Sequence, residues 1–232
     1  MKVIKGITFD LEGTVIDLEK LHFDSFSLVA EECGVPISFE TMHKHIPHLI
    51  GGGDAVVAEG LAVLMEHRLN PTQIRERKMF HYQNFLKEAR IIPRQGFLSV
   101  FAQIQKMGLS VAIGSLTPKA QAEELLTRSG LMPLFIREHI ILLEDVHNKK
   151  PAPDVYLKTA KRLGINPEAQ LVFEDSVPGV KAARAAGSVV IAMPVWNFSE
   201  NLAELNTAGA LEIFTEWADG KLLTLLETIT ST

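Results

Sequence analysis

From about residue 96 onward, the pattern of apolar and polar positions repeats one unit: a short apolar run, a polar turn, an amphipathic segment and a glycine. Short apolar runs predict buried strands, and amphipathic segments predict helices. The predicted strands are 109–114, 140–143, 170–173 and 189–192. The predicted helices are 117–130, 153–163 and 178–186. Such alternation is typical of a mostly parallel α/β sheet with helices on both faces.

A further strand is predicted at residues 3–9, and a long helical segment separates it from the repeat. Apolar residues recur at helical spacing in three stretches of this segment. They are Phe23, Phe26, Val29 and Cys33; Val57, Leu61, Leu64 and Met65; and Met79, Tyr82, Phe85 and Leu86. We therefore expect an α/β core domain of residues 1–17 and 93–232, with residues 18–92 inserted as an all-helical cap domain.

Composition and charge restrict the class of protein further. The 232 residues carry a formal net charge of −5, which gives no overall electrostatic reason to bind nucleic acid. The single cysteine, Cys33, excludes an internal disulfide and favours a reducing cytoplasm. No signal peptide and no apolar stretch of about 20 residues is evident. We expect a cytoplasmic protein without membrane or nucleic-acid partners, either a monomer or a weak homodimer.

Polar side chains follow several of the predicted strands, where ligands bind in open α/β sheets. A helix cap or a solvated turn would explain any one of these positions, but all of them together predict an active site. They are Asp10 and Glu12 after the first strand, Ser115 after the strand at 109–114, Lys150 before a helix, and Glu174 and Asp175 after the strand at 170–173.

Such a site would hold up to four carboxylates against the single Lys150. Like charges so close need a counter-charge, and an all-oxygen donor set favours Mg²⁺. Phosphoryl transfer suits these groups. Asp10 would be the nucleophile, Lys150 and Mg²⁺ would neutralise the phosphoryl oxygens, Ser115 would donate a hydrogen bond to them, and Glu12 would protonate the leaving oxygen.

Four segments in order resemble the motifs of the haloacid dehalogenase-like superfamily, closest to its β-phosphoglucomutase-like branch with a helical cap. They are Phe9-Asp-Leu-Glu-Gly-Thr14, Ser115 after its apolar strand, Lys150-Pro-Ala-Pro-Asp154 and Glu174-Asp-Ser-Val-Pro-Gly179. The resemblance covers essentially the whole chain. It implies a Rossmann-like core, Mg²⁺ dependence and an aspartyl-phosphate intermediate.

The resemblance also implies roles for individual residues. Asp10 is the nucleophile and a metal ligand, while Glu12 binds the metal through its backbone carbonyl and acts as acid and base through its side chain. Ser115 and Lys150 hold the phosphoryl group. Asp175 is a metal ligand, and Glu174 either contacts the metal or lies one contact away from it.

Glu12 departs from the pattern, because the superfamily usually has aspartate there. General acid–base catalysis contributes about 10²–10⁴ in rate, so a displaced carboxyl would make the enzyme slow. The enolase-phosphatase branch resembles this chain in having glutamate at this position. The departure therefore bears on rate and substrate more than on reaction class, and we expect Glu12→Asp to retain or raise activity.

Substrate selection is expected to involve the cap and the loop after Ser115. The resemblance places His22 near the entrance to the site and Lys78 in a segment whose lysine contacts substrate. The candidate substrate-binding residues are His22, Gly51, Gly52, Lys78, Leu116 and Thr117. No lysine or arginine occurs between Lys44 and Arg68, which disfavours the second phosphate that a mutase must bind.

The sequence thus favours a Mg²⁺-dependent phosphatase for a small phosphorylated metabolite, such as a sugar phosphate or phosphoglycolate. Two alternatives remain open. A β-phosphoglucomutase-like phosphomutase would need a bisphosphate to restore its activity. A catalytically weak regulatory protein would bind phosphate analogues without releasing phosphate.

Overall fold

In the computed structural model, which describes residues 3–46, 49 and 53–230, the chain divides into two units. The first comprises Met1–Asp17 and Ile91–Thr232, and the second is Leu18–Arg90. Among the described residues, no helix combines the length and the apolar character that a membrane span requires.

The first unit is built around a parallel sheet in the order β3-β2-β1-β4-β5-β6. Its strands are β1 (Gly6–Phe9), β2 (Ser110–Gly114), β3 (Ile140–Ile141), β4 (Gln170–Glu174), β5 (Val189–Ala192) and β6 (Glu212–Ile213). The central strands β1 and β4 are buried along their whole length. Burial on both faces is the reason these strands are continuous apolar runs in the sequence. The α/β fold expected from the sequence is confirmed.

The helices of the two units account for most of the remaining chain. The second unit contains α1 (Glu19–Glu32), α2 (Phe39–His45), α3 (Asp54–Leu64) and α4 (Pro71–Glu88). The first contains α5 (Phe97–Lys106), α6 (Lys119–Arg128), α7 (Asp154–Leu163), α8 (Val177–Ala185), α9 (Ser199–Thr207) and α10 (Gly220–Thr230). Short 3₁₀ turns lie at Met132–Leu134, Arg137–His139, Leu143–Asp145 and Pro167–Ala169.

Strand register brings the chemically active positions to one level. Phe9 of β1 pairs with Ile113 of β2 on one side and Phe173 of β4 on the other. One residue beyond this level, the three parallel strands therefore reach Asp10, Gly114 and Glu174. The carboxyl ends of the central strands meet at the same edge of the sheet, where α/β proteins bind their ligands.

An aromatic cluster anchors the end of β1. The Phe9 ring stacks on Phe173 at 5.4 Å between centroids and meets Phe97 edge-on at 5.4 Å. Trp217, fully buried, lies 4.8 Å from the Phe173 ring and donates its indole N–H to the Thr14 carbonyl at 3.1 Å. Offset and edge-on aromatic pairs add stability beyond the area that they bury. The cluster thus fixes the strand that carries Asp10.

Two predictions about element positions were wrong. The sequence predicted a helix over 117–130, but Pro118 is the cap and α6 begins at Lys119 and ends at Arg128. The Thr117 hydroxyl instead donates to Glu12. In α4 the buried stripe is Ile74, Lys78, Tyr82 and Leu86, and Met79 is 41% exposed. A lysine in the stripe is what shifted the apparent apolar pattern by one position.

Candidate active site

Asp10 follows β1 directly, and its backbone N–H donates to the Phe173 carbonyl at 2.9 Å. The chain then turns tightly, since the N–H groups of Val15 and Ile16 both donate to the Leu11 carbonyl at 3.0 Å. The Asp10 residue is only 6% exposed. A carboxylate buried to this degree, at the end of a central strand, is held by the sheet rather than by a mobile loop.

Lys150 joins Asp10 and Glu174 in one buried cluster. Its ammonium lies 2.6 Å from Asp10 Oδ1 and also donates to Glu174 Oε1. The side chains of Lys150, Asp10 and Glu174 are 7%, 8% and 0% exposed. Two carboxylates therefore share one cation in a place that water hardly reaches.

The cluster shifts the protonation of its members. Burial raises the pKa of Asp10 to about 7, against the opposing effect of Lys150, and Glu174 adds to the rise. Burial opposes the charge of Lys150, but the two carboxylates outweigh it and hold the lysine pKa above its usual range. Burial likewise opposes the charge of Glu174, but Lys150 holds its pKa below the usual range. The site carries more negative charge than one lysine neutralises, so it favours a cation or a proton on Asp10.

Glu174 is occupied on both oxygens. Oε1 accepts the Tyr156 hydroxyl at 2.7 Å in addition to Lys150, and Oε2 accepts the backbone N–H and the hydroxyl of Ser176, each at 3.0 Å. The Glu174 carboxylate also presses against Gly179, where an added Cβ would lie 1.8 Å from Oε1. These contacts from Tyr156 and Ser176 fix the Glu174 carboxylate against Lys150, and we call this arrangement the clamp.

Ser115 and Thr117, in the loop after β2, are connected by hydrogen bonds to Glu12, in the loop after β1. The hydroxyls of Ser115 and Thr117 are 3.0 Å apart, and Thr117 donates to Glu12 Oε1 at 2.6 Å. Because Thr117 has one hydroxyl hydrogen and gives it to Glu12, Ser115 is the donor between the two hydroxyls. Gln121 Nε2 donates to the same Glu12 oxygen at 3.0 Å. Leu116, between the two hydroxyl residues, is half-buried.

Asp175 lies against the loop that carries Glu12. Thr14 Oγ1 donates to Asp175 Oδ1 at 3.2 Å. Gly13 adopts a φ of +80°, and a Cβ there would lie 2.2 Å from Asp175 Oδ2. Only glycine meets both demands, the left-handed backbone and the close approach of a carboxylate.

Arg94 binds the loop that contains Glu12 and Gly13 through the backbone carbonyl of Gly13. Its guanidinium donates to the carbonyls of Gly13 at 2.7 Å, Pro194 at 3.1 Å and Thr215 at 2.8 Å, and also to Met193. Burial lowers the pKa of Arg94, with Asp175 opposing the shift. The planar fork of arginine suits a position that joins three separate segments.

The oxygen donors in this region fit a hard divalent cation. Asp10 and Asp175 would supply carboxylates, and Glu12, in the loop that Asp175 lies against, would supply its backbone carbonyl. Magnesium is typically held by one or two carboxylates, with waters and phosphate oxygens completing its shell. The described residues contain no group of three or more acidic, histidine or cysteine side chains placed to share an ion.

The candidate substrate residues of the second unit form a cluster of their own. Lys78 is fully buried, and its ammonium lies 2.9 and 2.7 Å from the two Asp54 oxygens and 2.8 Å from His22 Nδ1. The His22 ring stacks on Tyr82 at 4.3 Å between centroids. The structure thus brings His22 and Lys78 together. Gly51 and Gly52 lie outside the described residues.

Four supporting residues, Tyr156, Gln121, Arg94 and Asp54, were not found from the sequence. None of them belongs to a motif at a strand end. Their roles depend on helix phase and on contacts between residues far apart in the chain, which spacing alone does not reveal.

The fold and the strand-end cluster define an α/β enzyme with a carboxylate–lysine site. The sequence profile described as "Haloacid dehalogenase-like hydrolase" matches residues 7–193. The chain belongs to this family, which confirms the resemblance identified from the motifs.

The relatives cover most of the chain. A "Phosphorylated carbohydrates phosphatase" of Thermotoga maritima is 30% identical over 217 residues, covering 90% of this chain and 94% of that protein. A "Fructose-1-phosphate phosphatase" of Escherichia coli is 29% identical over 183 residues, covering 78% and 92%. The crystal structure of a "putative beta-phosphoglucomutase" from Thermotoga maritima has a TM-score of 0.73 at 26% identity, covering 96% and 99% of the two chains.

Proposed function

We propose that the protein is a Mg²⁺-dependent phosphatase that hydrolyses a small phosphorylated metabolite, such as a sugar phosphate or phosphoglycolate, through a phosphoryl group carried on Asp10. The observation that carries the proposal is the buried Asp10, ion-paired with a lysine that Glu174 clamps, one strand away from the Ser115 hydroxyl. The phosphatases among the relatives support the class of substrate.

The reaction proceeds in two halves on this chain's residues. In the first, an Asp10 carboxylate oxygen attacks phosphorus, the bond from phosphorus to the substrate oxygen breaks, and protonated Glu12 gives its proton to that leaving oxygen. In the second, Glu12 takes a proton from water as the water attacks phosphorus, and the bond to Asp10 breaks to release inorganic phosphate. Asp10 and Glu12 return to their starting states.

Lys150 binds the phosphoryl oxygens during both halves, and the Ser115 hydroxyl turns away from Thr117 to donate to them as well. Fixed donors in a site that excludes water stabilise the developing charge more than water would. Bound Mg²⁺ would supply further neutralisation of that charge, held by Asp10, the Glu12 carbonyl and Asp175. Glu174 acts by holding Lys150 and would not itself bind the metal, which is the second of the two roles that the resemblance implies for it.

We further propose that the second unit is the cap that selects the substrate, with His22 and Lys78 among its binding residues. Lys78 is paired with both oxygens of Asp54. A cation already neutralised by a carboxylate is poorly suited to a second phosphate, which favours a phosphatase over a phosphomutase. Hydroxyl groups of a sugar would suit the partly exposed Asp54 and the His22 ring.

Release of inorganic phosphate from a panel of sugar phosphates, phosphoglycolate and 4-nitrophenyl phosphate tests the proposal. We expect turnover with Mg²⁺, loss of turnover with a chelator and recovery when Mg²⁺ is added back. Asp10→Asn should lower turnover by at least about 10³-fold, since the nucleophile is removed.

Two results would contradict the phosphatase. Wild-type turnover by Asp10→Asn would show that Asp10 is not the nucleophile. Isomerisation of a sugar phosphate that requires a bisphosphate, without net phosphate release, would show a mutase instead.

A further inference from the structure

Glu12 is held by two donors from one helix start. Thr117 Oγ1 and Gln121 Nε2 lie 2.6 and 3.0 Å from the same carboxylate oxygen, Oε1. Gln121 sits in the first turn of α6, and Thr117 lies two residues before that helix begins, so both donors come from one short stretch of the chain. A carboxylate faces the amide here, so the amide presents its NH₂ group and not its oxygen.

The length of the Glu12 side chain is what permits this arrangement. Aspartate would end one carbon–carbon bond earlier, about 1.5 Å. A bond of 3.0 Å to Gln121 would then exceed hydrogen-bonding distance unless the backbone moved. Gln121 is half-buried and belongs to no motif that touches phosphate. The residue that Gln121 contacts, Glu12, is the residue at which this chain departs from the usual motif.

We propose that Gln121 is a positioning residue for the acid–base step, which fixes the longer Glu12 carboxyl at the place where the leaving oxygen is protonated. The inference rests on the proposed function, in which Glu12 gives that proton. Gln121 does not touch the substrate in this role. It acts through Glu12 together with Thr117, which also contacts Ser115.

The role predicts an effect that depends on the leaving group. A sugar alkoxide departs slowly without a proton, whereas nitrophenolate departs readily as an anion. The value of kcat/KM reports the steps up to departure of the leaving group, because that departure is the first irreversible step. A misplaced Glu12 should therefore lower kcat/KM for the sugar phosphate and leave that for 4-nitrophenyl phosphate nearly unchanged.

The experiment compares the full-length protein with Gln121→Met, which keeps the side-chain length and removes the donor. The probes are 4-nitrophenyl phosphate and the sugar phosphate of the panel with the highest kcat/KM. We expect kcat/KM for the sugar phosphate to fall about tenfold, and kcat/KM for 4-nitrophenyl phosphate to change less than about twofold. Gln103→Met, at a half-buried position of α5, is the matched control and should behave as wild type.

The same substitution in a Glu12→Asp background tests the contact itself. The shorter carboxylate of that background would not reach Gln121, so the second substitution should add less than about a twofold loss. Glu12→Asp alone should also lose activity on the sugar phosphate, opposite to the expectation from the usual aspartate.

Three outcomes overturn the inference: no loss of kcat/KM for the sugar phosphate in Gln121→Met, an equal loss of kcat/KM for both substrates, or the same loss of kcat/KM in both backgrounds. They are distinct from failure of the proposed function, which would show as wild-type turnover in Asp10→Asn or as no turnover of any phosphate ester. Thermal unfolding of each variant identifies a folding defect, and an equal loss on both probes that accompanies such a defect counts against the positioning role.

Discussion

Tyr156 tests whether the clamp on Lys150 contributes to catalysis. Its hydroxyl donates to Glu174 Oε1 at 2.7 Å, and its ring lies 5.1 Å from the Lys150 ammonium. Burial raises the pKa of Tyr156 well above 10, with the Glu174 and Asp10 charges adding to the rise, so the hydroxyl stays protonated in any ordinary assay. Tyr156→Phe therefore removes one donor and keeps the ring contact with the lysine.

The magnitude follows from the kind of bond that is lost. A hydrogen bond to a buried charged group contributes about 1.5–3 kcal/mol, so we expect the free energy of unfolding to fall by about 2 kcal/mol. Glu174 would retain Lys150 and Ser176 but turn more freely. If Tyr156→Phe costs about 1.4 kcal/mol of transition-state stabilisation, kcat/KM falls about tenfold.

Urea unfolding and steady-state kinetics with 4-nitrophenyl phosphate measure the two quantities. Thr159→Val is the matched control, since Thr159 lies on the same helix, is fully buried and directs its hydroxyl to Gln170 Oε1 and to the Tyr156 backbone carbonyl, each at 3.0 Å, and to no side chain of the site. It should lose about 1 kcal/mol of stability with kcat/KM unchanged. Wild-type kcat/KM in Tyr156→Phe, or an equal loss of kcat/KM in both variants, would refute the role of the clamp.

Two further predictions concern the buried charges. With a folded-state pKa of about 7 against the ordinary 3.8, Asp10 contributes stability that is present below pH 4 and lost as pH rises through 7. Asp10→Asn should therefore be more stable than wild type at about pH 8.5 in chelator, by up to about 4 kcal/mol, with the difference vanishing towards about pH 4; equal stability at both pH values would contradict the pKa. Gly179→Ala places a Cβ 1.8 Å from Glu174 Oε1 and should lower kcat at least about tenfold, whereas Gly220→Ala, with nothing within 4 Å, should not; equal activity of the two variants would remove Gly179 from the account.

Much of the core was predictable because its elements are locally determined. The strand before Asp10 and the strand ending at Glu174 are apolar runs buried on both faces, and candidate site residues stand at the carboxyl end of each. The strand β6 was missed because its two residues are exposed or half-buried and leave no apolar run. In α4 a lysine occupies a core position, and its partner Asp54 lies in α3, so no pattern within α4 indicates it.

The residues of the site were predictable from their type and order in the sequence, but the contacts between them were not. Sequence order identified Lys150 and Glu174 as site candidates, yet only the folded chain shows that one holds the other. Tyr156 and Gln121 each stand on a helix face whose phase decides what they touch. A shift of one residue turns a helical side chain by about 100°, which sequence reasoning does not resolve at a helix start.

The covalent step on Asp10 is the central claim, and chemical trapping tests it most directly. In Glu12→Gln the base for the second half-reaction is absent, so 4-nitrophenyl phosphate should give a burst of about one nitrophenol per enzyme and then slow turnover. Borohydride added after the burst reduces an aspartyl phosphate to homoserine, and peptide mass spectrometry identifies its position. We predict homoserine at residue 10, dependent on substrate and Mg²⁺. A burst with residue 10 unmodified, or with the modification at another residue, would contradict the account.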